Sequence, residues 1–167
     1  EIQPSVRDHS NFPSIDLLVD DVRRHGYYGG VRLLKAAIKR FHDHCSARRI
    51  RLHKRNFTLR YETTIPTQLG LAGSSAIITA CFRALMQFYR VRIPKPELPN
   101  IILAVETQEL AIPAGLQDRV AQAYDGLVYM DFARRLMKAQ GHGNYEPLDL
   151  ARLPPLYIAY RTDLSEG

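Results

Sequence analysis

The stretch Ile65-Pro66-Thr67-Gln68-Leu69-Gly70-Leu71-Ala72-Gly73-Ser74-Ser75-Ala76 constrains this chain more than any other. Before it, Phe57, Leu59 and Tyr61 alternate with Thr58, Arg60 and Glu62; after it comes a long apolar run. The stretch therefore reads as a connection from a half-buried strand to a helix. Pro66 ends the strand, because it has no N–H to donate and biases Ile65 to extended geometry. Gly70 and Gly73 permit positive φ and leave backbone N–H groups uncovered by any Cβ. Ser74 and Ser75 stand where the helix begins, with free N–H groups and the positive end of the helix dipole facing outward. Such a site suits a phosphate group. An ordinary Gly/Ser turn with an N-cap would look the same in sequence. It is not a Walker A loop: the chain contains no Gly-x-x-x-x-Gly-Lys followed by Ser or Thr.

The rest of the chain arranges itself around this connection. Residues 1–13 are polar, without periodicity, and read as loop. Ser14 caps a helix in which Ile15, Leu18, Val19 and Val22 share a face, and Gly26 ends it. Tyr27-Tyr28-Gly29-Gly30 is a tight turn into a second helix, Val31 to about Ala47. There Leu34, Ala37, Ile38 and Phe41 form the buried stripe, and Arg32, Lys35, Lys39 and Arg40 stay wet. Ser75 to Tyr89 predicts a central buried helix; Pro94, Pro96 and Pro99 mark a linker. A helix from about Glu97 to Leu110 follows, with Ile101, Ile102, Val105 and Leu110 toward the core. Pro113 and Gly115 separate it from a short helix, about Leu116 to Tyr124. Asp125-Gly126 is a turn leading into a strand over Leu127–Phe132. Gly141-His142-Gly143 and Pro147 lie in polar connections, and Leu156–Tyr160 reads as a last strand. This order predicts an α+β fold or a split β-α-β sandwich.

Composition narrows the function classes. With 167 residues, 46% of them hydrophobic, the chain is one domain or one large piece of a domain. No apolar run approaches the roughly 20 residues that cross a bilayer, so no membrane partner is expected. The start, Glu1-Ile2-Gln3-Pro4, lacks the basic and apolar regions of a signal peptide, and its missing Met suggests that the natural N-terminus lies upstream. Cys45 and Cys81 form neither a disulfide framework nor a CxxC metal site, and predict reduced thiols in a cytoplasmic protein. His42 and His44 diverge on a helix, which argues against a shared metal. The net charge of +6 is dispersed; its densest run, Arg48 to Arg55, reads as a solvated surface with RNA binding as the alternative.

Pro-x-x-x-Gly-Leu-Ala-Gly-Ser-Ser-Ala resembles the phosphate-binding motif of the GHMP kinases, the family of galactokinase, homoserine kinase, mevalonate kinase and phosphomevalonate kinase. Gly26 to Leu34, Arg55 to Leu59 and Gly115 to Gln122 look more specifically like the plant-type glucuronokinase branch, over nearly the whole chain. The resemblance implies a ribosomal-protein-S5-like N-terminal ATP-binding domain over 1–150, lacking its first strands, with 151–167 as the truncated start of the C-terminal domain. It implies ATP-dependent phosphorylation of a sugar acid, D-glucuronate, at its anomeric hydroxyl, with Mg²⁺ as cofactor.

Phosphoryl transfer asks mainly for positioning and charge neutralisation. Carried onto this chain, the family's phosphate cradle is Pro66, Gly70, Leu71, Ala72, Gly73, Ser74, Ser75 and Ala76. Ser75 and Glu106 would hold Mg²⁺, a hard ion content with few protein oxygens. Glu106 interrupts the apolar run Ile101–Val105, where a charge needs a partner; a solvent-facing helix residue would be the plain alternative. Asp118 corresponds to the family's catalytic base, and Arg119 beside it would keep it ionised. Arg32, Arg119 and Tyr28 are the candidates for gripping the sugar acid, since guanidinium binds carboxylate bidentately and an aromatic ring can stack on a sugar face. Neither the family's N-terminal motif nor its glycine-rich C-terminal motif occurs between Glu1 and Gly167, so these residues are expected to be inactive by themselves. The competing readings are a GHMP kinase for another sugar or small alcohol, and a non-catalytic RNA- or protein-binding S5-like domain.

Overall fold

Helix α1, Ile15–His25, begins where the sequence places it: Ser14 is extended, at φ −154° and ψ 165°, and its hydroxyl accepts from the Leu17 N–H at 3.2 Å. Gly26, at φ 78°, ends it. The structure, a computed structural model, describes residues 11–27, 31–65 and 70–160. The expected turn over Tyr28, Gly29 and Gly30, and the strand end at Pro66, lie outside those residues.

Helix α2, Arg32–Ala47, packs on α1 and on α3, Gly73–Tyr89. Its buried side is wider than the expected stripe, because it also meets α4, Leu98–Ala104, and the turn that follows α4. Lys35, expected in water, is also buried, on the side of α1, with its ammonium 5.3 Å from the centre of the Phe12 ring. The core lies between α2, α3 and α4, where Phe41, Phe82, Ile78, Leu85 and Ile102 are fully enclosed. Phe41 meets Phe82 edge-on, with centroids 5.9 Å apart.

The helix expected over about Glu97–Leu110 is present but not uniform. After α4 it widens into a π-helical turn, Val105–Glu109, which carries Glu106. Such turns insert one residue into the helical ladder and recur at functional sites. Helix α5, Gln117–Tyr124, follows, and then Asp125 (φ 58°) and Gly126 (φ 146°) reverse the chain into β1, Val128–Asp131.

Three sequence expectations are corrected. Residues 57–62 form no strand: Phe57 and Leu59 are half-buried between exposed Thr58 and Arg60, but Tyr61, expected on the same side, is exposed, and no other described segment pairs with them. The stretch 156–160 is likewise not a strand. Its side chains are open to solvent, Tyr157 almost completely, because no described surface covers them. Conversely, Pro147, expected in a polar connection, ends a strand, β2, Asn144–Pro147, antiparallel to β1 with Met130 opposite Tyr145; α6, Arg134–Gln140, lies between the two strands. Gly143 makes that pairing possible, since a Cβ there would come within 2.5 Å of the Asp131 carbonyl oxygen. The described residues thus form a helical body with one two-stranded sheet, compatible with α+β. Among them, no helix is long and apolar enough to cross a membrane.

Candidate active site

The chain turns sharply just before α3. Gly70 adopts φ 69° and Ala72 φ 56°, the second in the left-handed region at a cost for a residue with a Cβ. The helical ladder of α3 begins with the Ala76 N–H on the Ala72 carbonyl. The N–H groups of Gly73, Ser74 and Ser75 therefore stand outside it, as a phosphate cradle needs. Gly73 is the first helical residue, not a positive-φ one, and a Cβ there would make only an ordinary 3.6 Å contact with Ile65.

The two serines part company. Ser74 is exposed, and its hydroxyl donates to Glu106 Oε1 at 2.8 Å. Ser75 is fully buried: its hydroxyl donates to the Ala72 carbonyl at 2.9 Å and accepts from Gln122 Nε2 at 3.0 Å. Gln122 also donates to the Ala72 carbonyl and accepts from Thr79, so it staples the bend before α3 to α5.

Glu106 is buried, which a solvent-facing helix residue would not be. Its Oε2 accepts from Arg119 Nη2 in an ion pair whose side chains are 5% and 3% exposed. Arg119 Nη1 donates to the Gly115 carbonyl at 2.8 Å and lies 3.5 Å from Asp118 Oδ2. Asp118 itself, in the first turn of α5, is half-exposed. Ser74, Glu106, Arg119 and Asp118 thus form one connected chain of polar contacts. They line a single cleft of about 560 Å³ whose other walls include Gly70–Gly73, Ile65, Leu33 and Pro113–Gly115. Of the other sequence candidates, Arg32 is exposed at the start of α2 and does not line this cleft, although its neighbour Leu33 does. Pro66 and Tyr28 are outside the described residues.

Motif reading assigns no role to two residues of consequence. Gln122 acts only through contacts forty and more positions away in sequence. Glu109 closes a separate network on the far side of the π-turn, accepting from Tyr27 at 2.6 Å and from Lys39 at 2.9 Å. Burial and then that hydrogen bond push the Tyr27 hydroxyl far above its usual pKa. Burial alone would lower the Lys39 pKa, but the bonds to Glu109 and Asp43 outweigh it and hold the ammonium above its ordinary value. The basic run is partly consumed by the fold: Arg48 pairs with Glu97, His53 meets the Phe88 carbonyl at 2.9 Å, and Arg55 lies over the Phe88 ring. Among the described residues, no group of three His, Cys, Asp or Glu side chains is arranged to hold a metal.

A family profile described as the GHMP kinases N terminal domain matches residues 32–126, which span the whole cleft-forming region. Glucuronokinase 1 of Arabidopsis thaliana is 50% identical over 162 residues, covering 96% of this chain and 44% of its own length. Probable glucuronokinase 2 of the same plant is 49% identical over 163 residues, with the same coverage. D-glycero-alpha-D-manno-heptose 7-phosphate kinase of Campylobacter jejuni is 26% identical over 77 residues, 46% of this chain and 23% of that protein. No solved structure matches. The chain spans less than half the length of the plant relatives. A profile match across more than half of the 167 residues, joined to plant relatives alike along nearly all of them, has one meaning: the chain belongs to the GHMP kinases.

Proposed function

We propose that these residues form the ATP-binding part of a kinase that transfers the γ-phosphoryl group of ATP to the anomeric hydroxyl of a sugar acid, D-glucuronate. The likeness to two glucuronokinases supports the substrate. The observation that carries the chemistry is the continuous chain Ser74–Glu106–Arg119–Asp118 along one cleft wall, beside the start of α3. On this reading the fold is the S5-like N-terminal domain over 1–150, and 151–167 begins the next domain.

The free N–H groups of Gly73 to Ser75 and the dipole of α3 receive the ATP phosphates. Asp118, half-exposed in the cleft, takes the proton from the sugar C1 hydroxyl as its oxygen attacks the γ-phosphorus, and ADP departs. Arg119 is not a substrate ligand in this scheme. It is buried and committed to Glu106, the Gly115 carbonyl and Asp118, so it fixes the two carboxylates relative to each other. Arg32, one position from the cleft wall, is the guanidinium left to meet the sugar carboxylate.

The oxygen donors on the cleft wall fit Mg²⁺, which needs only one or two protein oxygens beside phosphate and water. The resemblance names Ser75 with Glu106, but the Ser75 hydroxyl faces inward, and it is Ser74 that shares a hydrogen bond with Glu106. We therefore assign Ser74 and Glu106. When bound, the ion neutralises charge on the β- and γ-phosphates.

An ADP-release assay on the full-length protein, offered glucuronate, galacturonate, glucose and galactose, tests the reading. Glucuronate should turn over fastest, and Asp118→Asn should lower kcat roughly 10²–10⁴-fold. Retention of more than about half of wild-type kcat removes Asp118 as the base. Faster turnover of a neutral hexose removes the sugar acid. In the same assay Arg32→Leu should raise the glucuronate KM and spare the ATP KM, and Ser74→Ala should raise the half-saturating Mg²⁺ concentration more than Ser75→Ala does.

A further inference from the structure

The π-turn carries two carboxylates that point to opposite sides. Glu106 faces the cleft, tied to Arg119 of α5 and Ser74 of α3. Glu109, three residues later, faces away. Its Oε2 accepts from the Tyr27 hydroxyl at 2.6 Å and from Lys39 Nζ at 2.9 Å, while Oε1 accepts from the same ammonium at 3.1 Å. Arg40 adds a guanidinium nitrogen 3.8 Å away. The Lys39 and Glu109 side chains are largely shielded from solvent, at 15% and 11% exposure. Lys39 is held in turn by Asp43 at 2.9 Å, and Asp43 by Arg23 of α1 at 2.8 Å. The turn is therefore clamped from both sides, by buried Glu106 on Arg119 and by part-buried Glu109 on Lys39.

The clamp bears on register. A π-turn holds one residue more than the α-helix it interrupts. Reversion to α would rotate each following side chain by about 100° relative to the preceding ones. Glu106 and Glu109 could not then both meet partners on opposite sides, and one carboxylate, buried or largely shielded, would lose its cation. Satisfying Glu109 thus selects the geometry in which Glu106 faces the cleft. The chain after the turn is consistent with this, since Ile112 N–H returns to the Glu106 carbonyl at 2.8 Å.

We propose that Glu109, with Lys39 and Tyr27, forms a positioning device that fixes the register of the π-turn and so aims Glu106 at Mg-ATP. This rests on the reading of Glu106 given above. The device touches no substrate; it acts through Glu106.

The test uses the full-length protein and Mn²⁺ as a spectroscopic probe, its binding to the enzyme–ATP complex followed by electron paramagnetic resonance, together with steady-state kinetics and melting curves. Glu109→Gln should weaken Mn²⁺ binding and lower kcat by about 10–100-fold, as loss of a partner behind a metal-facing group does, with the glucuronate KM within about twofold of wild type. Lys39→Met should behave alike, and Lys39→Arg, which keeps the charge, should recover most of the loss. Mn²⁺ affinity and kcat within about twofold of wild type overturn the proposal, whatever the melting temperature does. If Glu109→Gln fails to fold, Tyr27→Phe decides: it deletes one hydrogen bond to Glu109, and an unchanged Mn²⁺ affinity overturns the proposal while a several-fold loss supports it. Glu106→Gln separates the two levels of the argument. If that variant binds Mn²⁺ and turns over like wild type, the underlying reading has failed and this proposal with it.

Discussion

Arg119 makes the clearest demand on its surroundings of any single residue. Its guanidinium is enclosed with Glu106, and its Nε has no hydrogen-bond partner among the described residues. Removing one member of a buried pair strands the other charge, at a cost of roughly 3–5 kcal/mol, whereas replacing both with apolar groups of like size is near neutral. Arg119→Met should therefore lower the unfolding free energy by about that amount. Adding Glu106→Leu should recover most of it, as read by urea denaturation; a double variant no more stable than the single one refutes the pairing. At this scale the sequence was legible in part. A charge interrupting Ile101–Val105 announces that Glu106 needs a partner, and Arg119 lies within the stretch Gly115–Gln122. What could not be read was which group served it. Arg119 looked like a candidate for the sugar and proved committed to Glu106, while Ser74 and Ser75, adjacent in sequence, face a cleft and a core because a helix turns each residue by about 100°.

Elements that carry their own signals were read well, and those that need a distant partner were not. Ser14, Gly26 and the apolar stripes set α1 and α2 from local chemistry alone, and α3 differs from its expected start by two residues. Ser14→Ala removes the one side-chain acceptor at the start of α1 and should cost about 1 kcal/mol, seen as a lower melting temperature. No loss of stability would mean that the packing of Leu18, Val19 and Val22 alone sets the helix start. Residues 57–62 and 156–160 show the opposite case. Both have strand-forming sequences, but a strand exists only as a partner in a ladder, and none of the described segments supplies one. The π-turn is likewise unreadable, because the partner of its Glu109, Lys39, lies seventy positions away.

Among the described residues, α1 to α5 share a continuous core, and the charged groups around it make folding sensitive to pH. Burial, helped by the Arg48 guanidinium, pushes the His44 pKa below its usual range, with Glu97 opposing. The unfolded chain then takes up this proton first as pH falls below about 6.5. Stability from neutral His44 is complete above that value and declines as pH drops toward the lower folded pKa. Asp43, whose pKa is held down by Lys39 and Arg23 against the effect of burial, acts in a more acidic window, and Lys39 in an alkaline one. Melting temperatures should thus fall between about pH 7 and pH 5, and His44→Gln should flatten that fall; an unaltered slope assigns it elsewhere. The core also contains two thiols, Cys45 on α2 and Cys81 on α3, both buried, with burial pushing them up to about 11 and about 12. A thiol so enclosed reacts with an alkylating reagent only when the structure around it opens. The protein therefore carries its own clock for breathing motions: modification rates at each cysteine, measured under native conditions, report how often the α2–α3 seam parts, and whether filling the cleft with nucleotide slows it.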